Sequence, residues 1–274
     1  MQPNWEEIAE IVTSADAMVI GAGAGMGVDS GLPDFRGDEG FWNAYPPFRK
    51  AGHSFVDMAN PRWFEEEPEL AWGFYGHRLH LYRDVEPHAG FRVLRELAGD
   101  MEHGAFIYTS NVDGQFQKAG FGEDQVVECH GSLMHLQCSK PCSDHVWSAE
   151  GTDVEVDMDT IRATSELPRC HHCGAVSRPA ILMFGDWCWN STRTDKQADR
   201  YQQWLDKVGS DEIVVIESGA GTAVPTVRRH CERLARHPNV TLIRINPRES
   251  HGPSGTVSVP MGAESALAEL RGAV

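Results

Sequence analysis

Apolar residues recur at helical spacing from Trp5 to Ala15, and the chain then enters an unbroken apolar run, Ala17-Met-Val-Ile-Gly21, that opens into a glycine-rich stretch. A run of that length without polar alternation predicts a strand buried on both faces. The glycines after it predict a tight turn leading into a helix. The same grammar returns at Ile213-Val-Val-Ile216, which meets Gly219-Ala-Gly221 before a helical stretch, and at Val240-Thr-Leu-Ile-Arg-Ile245, which ends at Asn246-Pro247. Between these halves, Ala105-Phe-Ile-Tyr-Thr109 reads as another strand and ends at Ser110-Asn111. Strands alternating with helices, with glycine or polar residues at the strand ends, predict an α/β class with a doubly wound parallel sheet. Its ligand is expected at the carboxyl ends of the strands.

Two stretches break that alternation. Residues 40–86 are rich in aromatics and read as a helical and loop insertion, while residues 135–177 hold close cysteine pairs and an acidic run from Asp153 to Asp159. The sheet domain is then assembled from 1–39, 87–134 and 178–274.

Of the seven cysteines, Cys138 and Cys142 are separated by three residues and Cys170 and Cys173 by two. A polar segment joins the pairs, which is the spacing of a zinc ribbon in which two knuckles share one ion. Four thiolates saturate a tetrahedral ion, so one structural Zn2+ is expected to hold the insertion together and to take no part in chemistry. His171 and His172 are alternative ligands within the second knuckle, though four sulfurs suffice. Cys129, Cys188 and Cys231 are expected to be packing residues.

Across 274 residues, 41% apolar composition is ordinary for a folded protein with a full core, and the net charge of −16 argues against a phosphate-binding surface for nucleic acid. That charge would favour basic protein tails as partners. The N-terminal residues lack the basic head and apolar stretch of a secretory signal, and no apolar run approaches a membrane span. A cytoplasmic protein with no membrane partner is expected, and a monomer, since no long exposed apolar seam is readable.

Glycine spacing after a strand is a weak sign of a phosphate site. The residues beyond the first glycines are more specific. Gly23-Ala-Gly-Met-Gly-Val-Asp-Ser-Gly-Leu-Pro-Asp-Phe-Arg-Gly37 resembles the sirtuin signature of a GAG turn succeeded in register by G-(I/L/V)-P-D-F-R. Thr109-Ser-Asn-Val-Asp113 is similar to that family's TQN(I/V)D, Glu128-Cys-His-Gly131 to its E-x-H-G, and Arg178-Pro-Ala-Ile-Leu-Met-Phe-Gly-Asp186 to its RPxVVxFGE strand. Gly219-Ala-Gly-Thr222 falls where the family has GTS, and Ile245-Asn246 matches its IN. These ordered blocks span nearly the whole chain.

The resemblance implies a Rossmann-like fold carrying a smaller zinc-ribbon and helical module. It also implies NAD+ as co-substrate and acyl-lysine proteins as substrates, giving nicotinamide, O-acyl-ADP-ribose and free lysine. Gly23, Ala24 and Gly25 would cradle the phosphates, and Asp34 and Asp113 would bind the nicotinamide carboxamide. Phe35 would shield the ribose carbon, and Arg36 would help place the cofactor. Ser110, Asn111, Gly219, Gly221 and Asn246 would complete the nucleotide contacts, with Asn111 holding ribose hydroxyls or an ordered water. His130 would be the catalytic base, taking a proton from the ribose diol after the acyl oxygen has displaced nicotinamide. The strand around Met183, Phe184 and Gly185 would pair with the substrate backbone.

Phe74-Tyr-Gly-His-Arg78 resembles the Tyr-x-x-Arg element of sirtuins that remove succinyl, malonyl or glutaryl groups. Tyr75 and Arg78 share one face of a helix, where a phenol and a guanidinium can converge on a distal carboxylate; an ordinary surface pair is the alternative. Four positions depart from the family pattern: Ser110 for the usual Gln, Gly221 and Thr222 for the GTS serine and the leucine that follows it, and Asp186 for the usual Glu. Rival readings are ADP-ribosyl transfer to protein or NAD hydrolysis on the same fold, and a non-catalytic NAD-binding module that uses the ribbon to dock a partner.

Overall fold

The computed structural model describes residues 3–33 and 37–274; Asp34, Phe35 and Arg36, three of the expected cofactor contacts, lie outside the described residues. In chain order the strands are β1 (Ala17–Ala22), β2 (Ala105–Thr109), β3 (Val126–Glu128), β4 (Gly131–Cys138), β5 (Val146–Ser148), β6 (Val156–Asp157), β7 (Arg162–Ala163), β8 (Ser177–Ile181), β9 (Ile213–Ser218), β10 (Val240–Ile245) and β11 (Val257–Val259).

Six of these form one sheet in the order β11-β10-β9-β1-β2-β3, with every pairing parallel. Every residue of β1 and of β9 is buried, as continuous apolar strands covered on both faces should be. Alternation along β1 divides the core. Met18, Ile20 and Ala22 join Ile8, Val12, Phe91, Leu94 and Leu270 from helices Trp5–Thr13, Ala89–Gly99 and Ala263–Ala273. Ala17 and Val19 face the other way, onto Tyr201, Val208, Val227 and Cys231 of helices Thr192–Val208 and Thr226–Leu234. Within this core Arg244 of β10 stands opposite Glu217 of β9 and is bonded to it twice, at 2.7 and 2.9 Å, with both side chains fully buried.

The helix expected directly after β1 is not there. The glycine-rich segment instead makes two single 3-10 turns, Ala24–Met26 and Val28–Ser30, and Leu32 bonds back to Gly27. Close backbone approach is the cause. A Cβ on Gly23 would lie 2.7 Å from the Ala220 Cα, and one on Gly219, at φ +65°, would lie 2.2 Å from the Met26 nitrogen. The β1 and β9 turns therefore interlock, and there is no room for a regular helix between them.

The remaining strands build a second lobe. Antiparallel β5-β4-β8 forms one small sheet and β6-β7 another. Its core is rich in aromatics: Phe41, Tyr45, Phe48, Trp72, Phe74 and Tyr75 pack with Leu133, Leu136, Val154, Ile161 and Met183. The aromatic stretch and the cysteine-bearing stretch thus share a single core although the chain between them passes through β2 and β3 of the large sheet. Helix Pro68–Asp84 is the joint, because it touches both β6 and β7. Trp72 also donates to the Ser177 carbonyl at 2.8 Å. The small sheet begins at Gly131 and ends at Ile181, so residues on either side of 135–177 belong with it.

Candidate active site

Because the large sheet is parallel, the segments after β1, β2, β3 and β9 all leave from one edge. They line a cavity of about 790 Å3 whose opposite wall is the second lobe. Gly23 and Ala24 come from the first of these segments, Ser110, Asn111 and Asp113 from the second, His130 from the third, and Gly221 and Thr222 from the fourth. From the second lobe come Phe55, Tyr75, Arg78, Tyr82, Met183 and Phe184.

Side-chain bonds fasten the loops to each other. The Asn111 amide donates to the Gly23 carbonyl at 3.1 Å, and the Thr109 hydroxyl donates to Ala22 at 3.0 Å while accepting from the Asn111 N–H. Asn246 is buried behind the cavity wall. Its amide donates to the Ala220 carbonyl, and its oxygen accepts from the Arg248 and Glu249 amides. Asn246, expected to contact the nucleotide, is not among the residues that line the cavity, and its side chain holds the neighbouring loops in place. Gly25, Gly219 and Gly185 also do not line the cavity. Gly25 and Gly219 are packed together beneath its floor.

Burial pushes the imidazole of His130 below the ordinary histidine range, against the opposing effect of a hydrogen bond to the Ser110 backbone. The Ser110 N–H already donates to Ala22, so its carbonyl is the partner. One ring nitrogen of His130 then holds the proton and the other presents a lone pair at neutral pH. Asp113 behaves oppositely. Burial lifts its carboxyl to about 6, against the Gln115 N–H that it accepts at 3.0 Å.

The segment expected to be a strand at Met183–Gly185 is corrected as well. Strand β8 stops at Ile181, and Phe184 and Gly185 form a turn with Gly185 at φ +68°. Asp186 is responsible: its fully buried carboxylate pairs with Arg178 and accepts from the Met183 N–H, drawing the chain back on itself. The Leu182 and Phe184 amides are already bonded to the His130 and Ala59 carbonyls. Cys188, expected to pack, is exposed, since its backbone is held by Asp186 and Gln137 with the thiol outside. Cys231 is buried as expected.

Several lining residues escaped the sequence reading. Tyr82 lies one turn beyond Arg78, and the spacing 75, 78, 82 along one helix face was the available signal. Glu249 had none: its carboxylate accepts from the Thr222 N–H at 3.2 Å and from the Thr222 hydroxyl at 2.6 Å, across 27 positions of sequence. That bond shows what the departure at Thr222 does structurally, closing the β9 loop onto the one after β10.

At the far end of the second lobe the sulfurs of Cys138, Cys142, Cys170 and Cys173 all lie within 4.8 Å of one another, with Cys138 to Cys173 at 3.5 Å and Cys142 to Cys170 at 3.6 Å. Zinc–sulfur bonds of about 2.3 Å in a tetrahedron place sulfurs about 3.8 Å apart, so the four fit one Zn2+. His171 and His172 turn away, against Trp147 and His145 respectively.

A nucleotide-sized cavity at the carboxyl edge of a parallel sheet, walled by a cysteine-bound lobe, defines the class of protein, and sequence comparison makes it specific. The Sir2 family profile matches residues 23–215. The chain belongs to the Sir2 family. It is 28% identical over 244 residues to an NAD-dependent protein deacylase of Pyrococcus abyssi, covering 89% of this chain and 87% of that protein. It is 32% identical to an NAD-dependent protein deacetylase of Saccharolobus solfataricus over 66% of each. A crystal structure of a Sir2 homolog–NAD complex superposes with a TM-score of 0.72 at 24% identity, covering 98% of this chain and 93% of that one. Among the described residues, no helix is long and apolar enough to cross a membrane.

Proposed function

We propose that this protein is an NAD-dependent protein-lysine deacylase. One observation carries the reading: His130, Asn111 and Asp113 share a single cavity with Tyr75, Arg78 and Phe184, so a nucleotide held at the sheet edge and an acyl-lysine entering from the second lobe meet beside His130.

The residues suit NAD. Gly23 and Ala24 offer backbone at the end of a buried strand where a pyrophosphate can approach. Asp113, with its carboxyl lifted to about 6, offers the carboxamide of nicotinamide an acceptor when ionised and a donor when protonated. When bound, NAD supplies a ribose carbon with nicotinamide as leaving group, which the amide oxygen of the acyl-lysine replaces. Asn111, fixed by Gly23 and Thr109, sets the position of the ribose. His130, neutral at pH 7, accepts a proton from a ribose hydroxyl. The aromatic wall of the second lobe excludes water from the reacting carbon. Peptide selectivity is expected to be loose, since the chain around Phe184 offers a turn and backbone carbonyls, which bind a peptide main chain whatever its sequence.

The finer reading concerns the acyl group. Tyr75 and Arg78 are buried and reach the same cavity, which favours acyl chains ending in a carboxylate. Mass spectrometry of the protein with NAD and matched acetyl-lysine and succinyl-lysine peptides tests both levels. Deacylated peptide with O-acyl-ADP-ribose, lost in His130→Ala, supports the deacylase. Nicotinamide release without deacylation points to ADP-ribosyl transfer or NAD hydrolysis, and no turnover points to a binding module. An Arg78→Met variant whose succinyl-to-acetyl preference equals that of the unmodified protein would remove the acidic-acyl reading.

A further inference from the structure

We propose that Tyr82 is a third acyl-recognition residue, which orients the Arg78 guanidinium and donates its own hydroxyl proton to a carboxylate at the end of the acyl chain. The proposal rests on the deacylase and acidic-acyl readings above. It concerns a residue outside the Tyr-x-x-Arg element.

Positions 75, 78 and 82 fall on one face of helix Pro68–Asp84, since steps of three and four residues nearly complete a turn. All three line the cavity and are almost wholly buried, with exposures of 1%, 5% and 6%. The guanidinium sits among the rings of Phe74, Tyr75 and Tyr82 at 5.2 to 5.7 Å, so its charge lies against aromatic faces.

Counting donors and acceptors identifies the missing partner. Arginine can only donate. The Tyr82 oxygen therefore accepts both bonds that join the two side chains, from Nε at 3.2 Å and from Nη2 at 2.7 Å. Its lone pairs are occupied, and its proton has no acceptor among the described residues. The Tyr75 hydroxyl is buried and has no hydrogen-bond partner among the described residues. Burial raises the Tyr75 phenol to about 12 and pushes the Tyr82 phenol upward too, so both keep their protons at neutral pH. Two phenol protons without acceptors flank a buried cation in a cavity built to admit a ligand. The Asp113 carboxylate on the same cavity wall acts on Arg78 and Tyr82 through its charge, but among the described residues neither phenol donates to it; a ligand carboxylate, which only accepts, complements the two phenols. A short neutral acyl group leaves both phenols unmatched.

The test is steady-state kinetics of the full-length protein and of Tyr82→Phe on acetyl-, butyryl- and succinyl-lysine peptides of one sequence. Butyryl matches succinyl in carbon count without the charge. The succinyl-to-butyryl ratio of kcat/KM is expected to fall about tenfold in the variant, mainly through KM, as loss of one charge-assisted bond requires. Equal slowing on all three peptides, leaving the ratio unchanged, overturns the proposal by making Tyr82 a structural residue. A wild-type protein that processes acetyl and butyryl peptides but does not turn over succinyl overturns the acidic-acyl reading and the proposal with it, while leaving the deacylase intact. No turnover of any peptide by the wild type removes all three. Should Tyr82→Phe fold poorly, Tyr75→Phe reads the other phenol, and the same fall in the ratio is expected; an unchanged ratio there overturns the donor count on which the proposal stands.

Discussion

The two lobes are held together by different physics. In the large lobe, β1 and β9 are buried aliphatic strands whose alternate residues feed two separate helix layers, and the polar residues at their carboxyl ends are left to face a ligand. In the second lobe an aromatic cluster and a four-cysteine site bind together segments that are far apart in sequence. The consequence is a division of labour. The sheet edge carries groups that suit chemistry common to any substrate, His130, Asn111 and Asp113. The second lobe carries the groups to which we assign the choice of acyl chain, Tyr75, Arg78 and Tyr82.

Removing the metal should separate the lobes most sharply. A structural zinc in a small module contributes on the order of 10 kcal/mol to its folding. Chelation is therefore expected to abolish amide protection in β4, β5 and β8 while β1, β9 and β10 keep theirs, as read by hydrogen exchange. Simultaneous loss from β1 and β9 would show that the lobes unfold as one.

His130→Ala should lower kcat/KM by about 10²- to 10⁴-fold. In the unmodified protein, burial depresses the His130 pKa, so the base remains neutral as pH falls through 6.5 and is protonated only below it. The acid limb of kcat/KM is expected below 6.5, and a midpoint above that value would contradict the assignment.

Within the large lobe, Glu217→Ala leaves Arg244 buried without its bidentate partner, bonded to Glu232 at 2.9 Å and to the His251 carbonyl at 2.7 Å. A loss of about 3 kcal/mol in denaturant unfolding is expected. Asp113→Asn should move stability the other way. Its folded carboxyl is raised to about 6 from 3.8, so between those values the native state holds more protons than the unfolded one, and stability falls as pH rises through that window. At pH 7 the ionised group is a net burden, and Asn should stabilise by about 1–3 kcal/mol while activity drops. No gain in stability at pH 7 would count against a raised carboxyl.

How much of the molecule was readable in the sequence obeys the same division. The Ala105–Thr109 and Val240–Ile245 strands stand where their apolar runs predict them, because a buried parallel strand is written in adjacent residues. Strands β3 and β11, three residues each, are too short to carry a period. Spacing identified the four cysteines because two knuckles need only local geometry. It failed where backbone packing decides, as at the interlocked Gly23 and Gly219, and where a buried pair reverses the chain, as Arg178 and Asp186 do after β8. The shared aromatic core was invisible for a similar reason, since nothing local links Phe74 to Leu133 or Ile161. The bonds that Asn246 makes to Ala220, Arg248 and Glu249 were not legible either, because a motif gives position and not the direction of a side chain.

The central claim is that nucleotide and acyl-lysine react in one cavity spanning both lobes. The most direct measurement is the stoichiometry of nicotinamide released to lysine deacylated, taken with NAD saturating and the acyl-lysine peptide limiting. One nicotinamide per deacylated lysine, with negligible release when peptide is omitted, is the predicted result. Nicotinamide released in excess, or at the same rate without peptide, would contradict the account and make water the acceptor.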